Sequence, residues 1–164
     1  MKFLKTVAAA TLSGPLLSSV AFAEDKPVVG LVMKSLANEF FQNMMVGAEA
    51  HAARRGDYEL RAVGMQNETD FESQINAVET FITEGVDLIV IAPADSRAMV
   101  GPIQKAIAAG ITVVNFDVSL DAAAKTDAGL ELAFVGPDNR GGAKLAGDAL
   151  GKALGKGAKV VIIE

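Results

Sequence analysis

The 164-residue chain has no cysteine and no tryptophan, and only one histidine and one tyrosine. Without cysteine there is no disulfide framework, no thiol nucleophile and no thiolate ligand for a metal. The single histidine, His51, rules out histidine clusters, and one such residue supplies no acid–base relay by spacing. Phosphate-binding signatures are missing as well. Gly30 lies inside the first apolar run and the next glycine is Gly47, so the dinucleotide fingerprint fails. Gly141-Gly142-Ala143-Lys144 lacks the glycine and Ser/Thr spacing of a P-loop, no Gly-x-Ser-x-Gly elbow occurs, and Asp121, Asp127 and Asp138 do not follow the spacing of a calcium loop. The chain is therefore expected to be no enzyme, with no catalytic residues, no metal and no cofactor.

Residues 1–23 form a separate compositional regime. Lys2 and Lys5 give a positive start, Val7–Val20 is a run of apolar and small residues, and Ala21-Phe22-Ala23 places small residues where a signal peptidase cuts. Gly14-Pro15 argues against a buried helix there. The expected product is exported, and the lack of cysteine favours a bacterial periplasm. Removing this segment takes away two basic residues and no acidic ones, leaving 13 basic against 20 acidic, net −7. An acidic chain lacks the basic surface that neutralises phosphates, so no nucleic acid partner is expected.

Half of the residues (51%) are hydrophobic, enough for a packed domain. The stretch from Val28 to Phe41 sets the pattern: an apolar run over 28–33, a polar break at Lys34-Ser35, and then a helical spacing in Phe40, Phe41, Met44, Met45, Ala48 and Ala52. The first helix is expected over about 37–55, with His51 on its surface near Arg54 and Arg55. Strands follow at 58–64, 86–91, 111–116 and 132–135. A second helix has Phe71, Ile75, Val78 and Ile82 as its core face, with Thr69 and Glu72 as a capping box. A third begins after Ala92-Pro93-Ala94-Asp95-Ser96, capped by Asp95 or Ser96, with Pro102 bending its first turns. Gly56, Gly85 and Gly110 each close a helix just before a strand, and their spacings of 29 and 25 residues match βαβ units. Residues 119–131 are expected to be a solvent loop. A further helix spans 143–154 and a last strand 159–163.

The fold class is α/β, a three-layer sandwich with a parallel sheet. Right-handed crossovers put the loops after the strands on one edge, where open α/β folds place their ligand sites. That edge gathers Asn38, Phe40, Phe41, Asp95 and Asp117. An amide, two aromatic rings and carboxylates suit a neutral polyhydroxy ligand, because carboxylates and amides bond several hydroxyls while ring faces cover C–H surfaces. An amino acid or small amine also fits, with Asp117 as the ammonium partner. A turn residue closing the strand is the plain alternative for Asp117, as core packing is for the phenylalanines.

The order and spacing of Ser35-Leu36-Ala37-Asn38-Glu39-Phe40-Phe41, Ala92-Pro93-Ala94-Asp95-Ser96, Asn115-Phe116-Asp117 and Gly136-Pro137-Asp138-Asn139, the last running into Gly141–Gly147, resemble the periplasmic sugar-binding proteins of ABC transporters, in the ribose-binding group. The resemblance covers about 28–163. It implies two lobes that close on a monosaccharide or polyol and then dock on an ABC permease, the binding protein acting as a monomer. It also implies that Asn38 bonds hydroxyls, Phe40 and Phe41 line or stack on the ring, and Asp117 makes paired hydroxyl bonds. Asp95 and Asn139 complete the expected ligand set. On this template residues 24–136 are the N-terminal lobe and 137–164 the incomplete start of the second, so the chain reads as truncated or as the front of a two-domain protein. A chain ending at Glu164 is then expected to bind sugar weakly or not at all.

Three positions depart from the ribose-type pattern: Val118 stands where it carries arginine, Ala92 where it carries asparagine, and Pro137 where it carries serine. These losses argue against ribose and for a polyol or a different pentose or hexose. A chemoreceptor or quorum-sensing protein of the same fold is the alternative function. A sugar-responsive repressor would need a DNA-binding helix-turn-helix in place of residues 1–23.

Overall fold

The computed structural model describes residues 26–161, and the expected signal segment lies outside them. Five parallel strands form one sheet in the order β2-β1-β3-β4-β5: β1 Val28–Ser35, β2 Glu59–Met65, β3 Leu88–Ile91, β4 Thr112–Phe116 and β5 Ala133–Val135. The helices are α1 Glu39–Arg55, α2 Phe71–Glu84, α3 Val100–Ala108, α4 Ala122–Asp127 and α5 Asn139–Leu154. Because the direction of chain growth reverses between β1 and β3, the crevice of the topological switch point opens at their carboxyl ends.

The apolar runs form central strands because both faces of β1 and β3 are covered. On one face Val32, Ile89, Ile91 and Val113 pack with Val78 and Phe81 of α2 and Ile103 and Ala106 of α3. On the other, Leu31, Met33 and Ala92 pack with Phe41 and Met45 of α1. Gly30 permits the first contact, since a Cβ built there would lie 2.6 Å from the Phe81 ring. Gly56 (φ 67°) and Gly85 (φ 66°) end α1 and α2 in the left-handed region, where glycine pays no Cβ penalty.

Several local expectations are corrected. Asp70, not Thr69, caps α2, its Oδ1 accepting from the Ser73 N–H at 3.1 Å. Of the expected core face of α2, Val78 is fully buried and Ile75 and Ile82 pack partly buried on the core, but Phe71 is exposed at the helix start, and Gln74 and Phe81 are the other buried residues. Asp95 caps the turn that precedes α3, and the helix itself begins only at Val100, with Pro102 buried in its first turn. The expected solvent loop at 119–131 contains α4, capped by Asp121; Leu120 is buried and Ala124, Ala128 and Leu130 pack on the core. Its alanine-rich sequence carries no apolar period, so tertiary packing decides this helix. Of the strand expected at 159–163, residues 162 and 163 lie outside the described residues, and 159–161 form no strand. No residue of α5 is buried.

Candidate functional site

The carboxyl edge is built on two buried amides. Gln74 of α2 is fully buried and reaches between β1 and β3. Its Nε2 donates to the carbonyls of Met33 (3.1 Å) and Ala92 (2.8 Å), and its Oε1 accepts from the Ala94 N–H (2.7 Å). Asn115, near the end of β4, is equally enclosed and bonds the turn that follows. Both amides are fully partnered, as buried polar groups must be to avoid a desolvation penalty. They set the ends of β1, β3 and β4 relative to one another.

On this frame sits an ion pair that the sequence reading missed. Lys34 is the extra residue of a bulge in β1, where the pairing with β2 shifts register between Met33 and Ser35. Bulges re-aim a side chain and are frequent beside functional sites. Lys34 Nζ lies 3.4 Å from Asp117 Oδ2 and 5.8 Å from the centroid of the Phe41 ring. The Lys34 and Asp117 side chains keep only 13% and 20% of their exposure. The two lie at the ends of the strands on either side of β3, which is followed there by the small, fully buried Ala92. A lysine closing an otherwise apolar strand was the available signal; its partner, 83 positions away, was not readable.

Asn38 caps α1, its Oδ1 accepting from the Phe40 N–H at 3.0 Å, while its Nδ2 donates to Glu68 Oε1 at 2.5 Å. Each half of the amide keeps one bonding position spare. The neighbouring loops are tied by Leu36 N–H to the Met65 carbonyl (2.9 Å) and Ser35 Oγ to the Gln66 carbonyl (3.2 Å). The two phenylalanines separate. Phe41 is 3% exposed and belongs to the core, whereas Phe40 is 56% exposed, and their rings meet edge-on with centroids 5.1 Å apart. The exposed Phe40 ring meets Phe41, the ring that lies against Lys34, and follows the capping amide of Asn38, so it offers a face that can cover an apolar surface.

Asp95 and Asn139 are placed differently. Asp95 Oδ1 accepts from the N–H groups of Ala98 (2.7 Å) and Arg97 (2.8 Å), which hold its carboxyl below the usual aspartate range. Asp121, in the next loop, is held low by the Ala124 N–H and by Arg97, whose Nε lies 3.2 Å from Asp121 Oδ2. That bridge joins the loops after β3 and β4. Asn139 lies exposed at the start of α5, which Asp138 caps through the Gly141 N–H at 2.9 Å. Among the described residues no group of three or more acidic or histidine side chains is arranged to hold a metal, and no helix is long and apolar enough to cross a membrane.

Comparison with known proteins gives a consistent family. A model described as a periplasmic binding protein domain matches residues 29–164. The D-ribose/D-allose-binding protein of Pseudomonas aeruginosa is 49% identical over 151 residues, 92% of this chain and 47% of that protein. The D-allose-binding periplasmic protein of Escherichia coli K12 is 35% identical over 166 residues, covering 99% of this chain and 52% of that one. An ABC transporter solute-binding protein of Actinobacillus succinogenes, solved with bound D-allose, superposes with a TM-score of 0.73 at 40% identity, over 80% of this chain and 46% of its own. The chain spans about half the length of the curated relatives it matches. With its parallel sheet and the match over 29–164, the chain belongs to the periplasmic binding protein domain family.

Proposed function

We propose that this chain supplies the N-terminal lobe, residues 24–136, and the first part of the second lobe, residues 137–164, of a periplasmic solute-binding protein. That protein captures a neutral sugar between two lobes and delivers it to an ABC permease. The observation that carries the reading is the Lys34–Asp117 pair at the switch point, with Asn38 and Phe40 on the loop and helix start that follow β1. Its charges cancel, so a charged amino acid or amine would disrupt a pair already made, whereas hydroxyl groups can bond both ends of it at once.

The sugar class follows from the same residues. Val118 and Ala92 remove two polar groups from the ribose-type pattern, and Lys34 brings a cationic donor to the region of Ala92. An aldohexose of the D-allose kind fits this donor set; one relative is named for D-allose and another for both D-ribose and D-allose. Asn38 and Asp117 act as hydroxyl partners and Phe40 covers one ring face. Asp95 serves the rim mainly by capping the turn after β3.

The test is a titration of the ¹⁵N-labelled chain with D-allose, D-ribose and L-serine, followed by heteronuclear NMR, which also reads weak binding. D-allose is expected to shift the amides of Lys34, Asn38 and Asp117, with D-ribose weaker and serine without effect. Lys34→Met is expected to lower the D-allose affinity at least about tenfold, the loss of roughly one charge-assisted hydrogen bond. Shifts at these amides with serine and none with either sugar would overturn the reading.

A further inference from the structure

Asp117 is, among the described residues, the only non-glycine with positive φ, at 63°. It sits at the centre of a three-residue turn that the Val118 N–H closes onto the Phe116 carbonyl at 2.8 Å, a rare and strained conformation for a residue with a Cβ. Its own N–H still pairs with the Val135 carbonyl of β5 at 3.1 Å. Strain of this kind persists only where the surroundings over-determine it.

The surroundings here converge on one side chain. Asn115 is 1% exposed. Its Nδ2 donates to the carbonyls of Val118 (2.8 Å), Phe116 (3.3 Å) and Ile91 (3.4 Å), and its Oδ1 accepts from the Leu120 N–H (2.9 Å). The amide thus grips the residues on both sides of Asp117 and ties them to β3. Neither an isosteric leucine nor a serine can do this, because one lacks the polar atoms and the other lacks the reach and the second donor. A relaxed turn would carry the Asp117 carboxylate away from Lys34.

We infer that Asn115 is the positioning residue of the binding site: it imposes the positive-φ turn that aims the Asp117 carboxylate at Lys34 and at the ligand. This rests on the reading of Asp117 as a ligand residue. Asn115 itself touches no ligand and acts only through the turn.

The experiment uses the full chain with Asn115→Ser, Asp117→Gly and the double variant, measured by urea unfolding and by NMR with D-allose. A strong intraresidue HN–Hα NOE at position 117 reports positive φ. Asn115→Ser is expected to weaken that NOE and to lower D-allose affinity about tenfold, the size usual for residues that act as a pair. Its unfolding penalty is expected to shrink in the Asp117→Gly background, since glycine adopts the turn unaided. A role confined to general packing would give the same penalty in both backgrounds and would overturn the inference. If Asn115→Ser alone does not fold, folding of the double variant supports the inference and its failure to fold refutes it. Should the NOE and the stability cycle behave as expected while neither Asn115→Ser nor Asp117→Gly alters D-allose binding, the positioning role stands and the sugar reading fails.

Discussion

Replacing Gln74 by leucine tests the frame beneath the site. The two side chains are close in volume, so the substitution removes polar atoms at a fully buried position without opening a cavity. It strands the Ala94 N–H and deprives the Ala92 and Met33 carbonyls of a donor, bonds of 2.7, 2.8 and 3.1 Å in the native chain. Each buried polar group left unpaired costs about 1–3 kcal/mol. Met33 lies within β1 and the β3 loop can partly relax toward water, so not all three penalties apply in full. The extra apolar burial of leucine offsets roughly 1–2 kcal/mol. The net expectation is a loss of about 2–4 kcal/mol, which for a urea m-value of ~2 kcal/mol/M moves the unfolding midpoint down by about 1–2 M. Urea denaturation followed by far-UV circular dichroism reads this directly. An unchanged midpoint, or a more stable protein, would refute the view that Gln74 clamps the ends of β1 and β3. In a variant that still folds, amide shifts are expected to concentrate at Lys34 and at 92–95.

Two further outcomes follow from the same geometry. Phe41→Ala is expected to cost about 3–4 kcal/mol, as a buried aromatic truncation does, whereas Phe40→Ala, at an exposed ring, leaves the urea midpoint nearly unchanged and weakens D-allose binding in the NMR titration. A reversed order would mean that Phe40 and Phe41 have exchanged roles. In acid, the Asp95 and Asp121 carboxyls are held low in the folded chain by loop and helix N–H groups, Ala98 for the first and Ala124 for the second. A depressed folded value means stability that is present above the ordinary aspartate value of ~4 and is lost as pH falls through the lowered one. Asp95→Asn and Asp121→Asn should therefore flatten the loss of thermal stability below about pH 4, where these carboxyls titrate. An acid profile identical to that of the parent chain would count against both caps.

Local features were legible in order of how little they depended on the rest of the chain. The apolar runs at 28–33 and 86–91 read as buried parallel strands because nearly every position faces a covered side, and Gly56 and Gly85 marked helix ends because only glycine takes the left-handed φ there without cost. The carboxyl edge and its members Asn38, Phe40 and Asp117 followed from βαβ order. Which phenylalanine is core and which is rim did not, since adjacent helix positions are only about 100° apart. The alanines of α4 carried no periodic signal, and the polar Gln74 was not read as part of the buried face of α2.

What the amino-acid sequence determined by itself was the alternation of strand and helix as far as β4, the acidic charge, and the lack of the dinucleotide, P-loop and nucleophile-elbow motifs. These depend on local propensity and on the short spacing of apolar residues. The tertiary structure alone decided that Lys34 meets Asp117, that Gln74 and Asn115 hold the strand ends, and that Phe40 rather than Phe41 faces outward. Such pairings join positions tens of residues apart through a bulge, a strained turn and a buried amide. Their geometry exists only once β3 lies between β1 and β4.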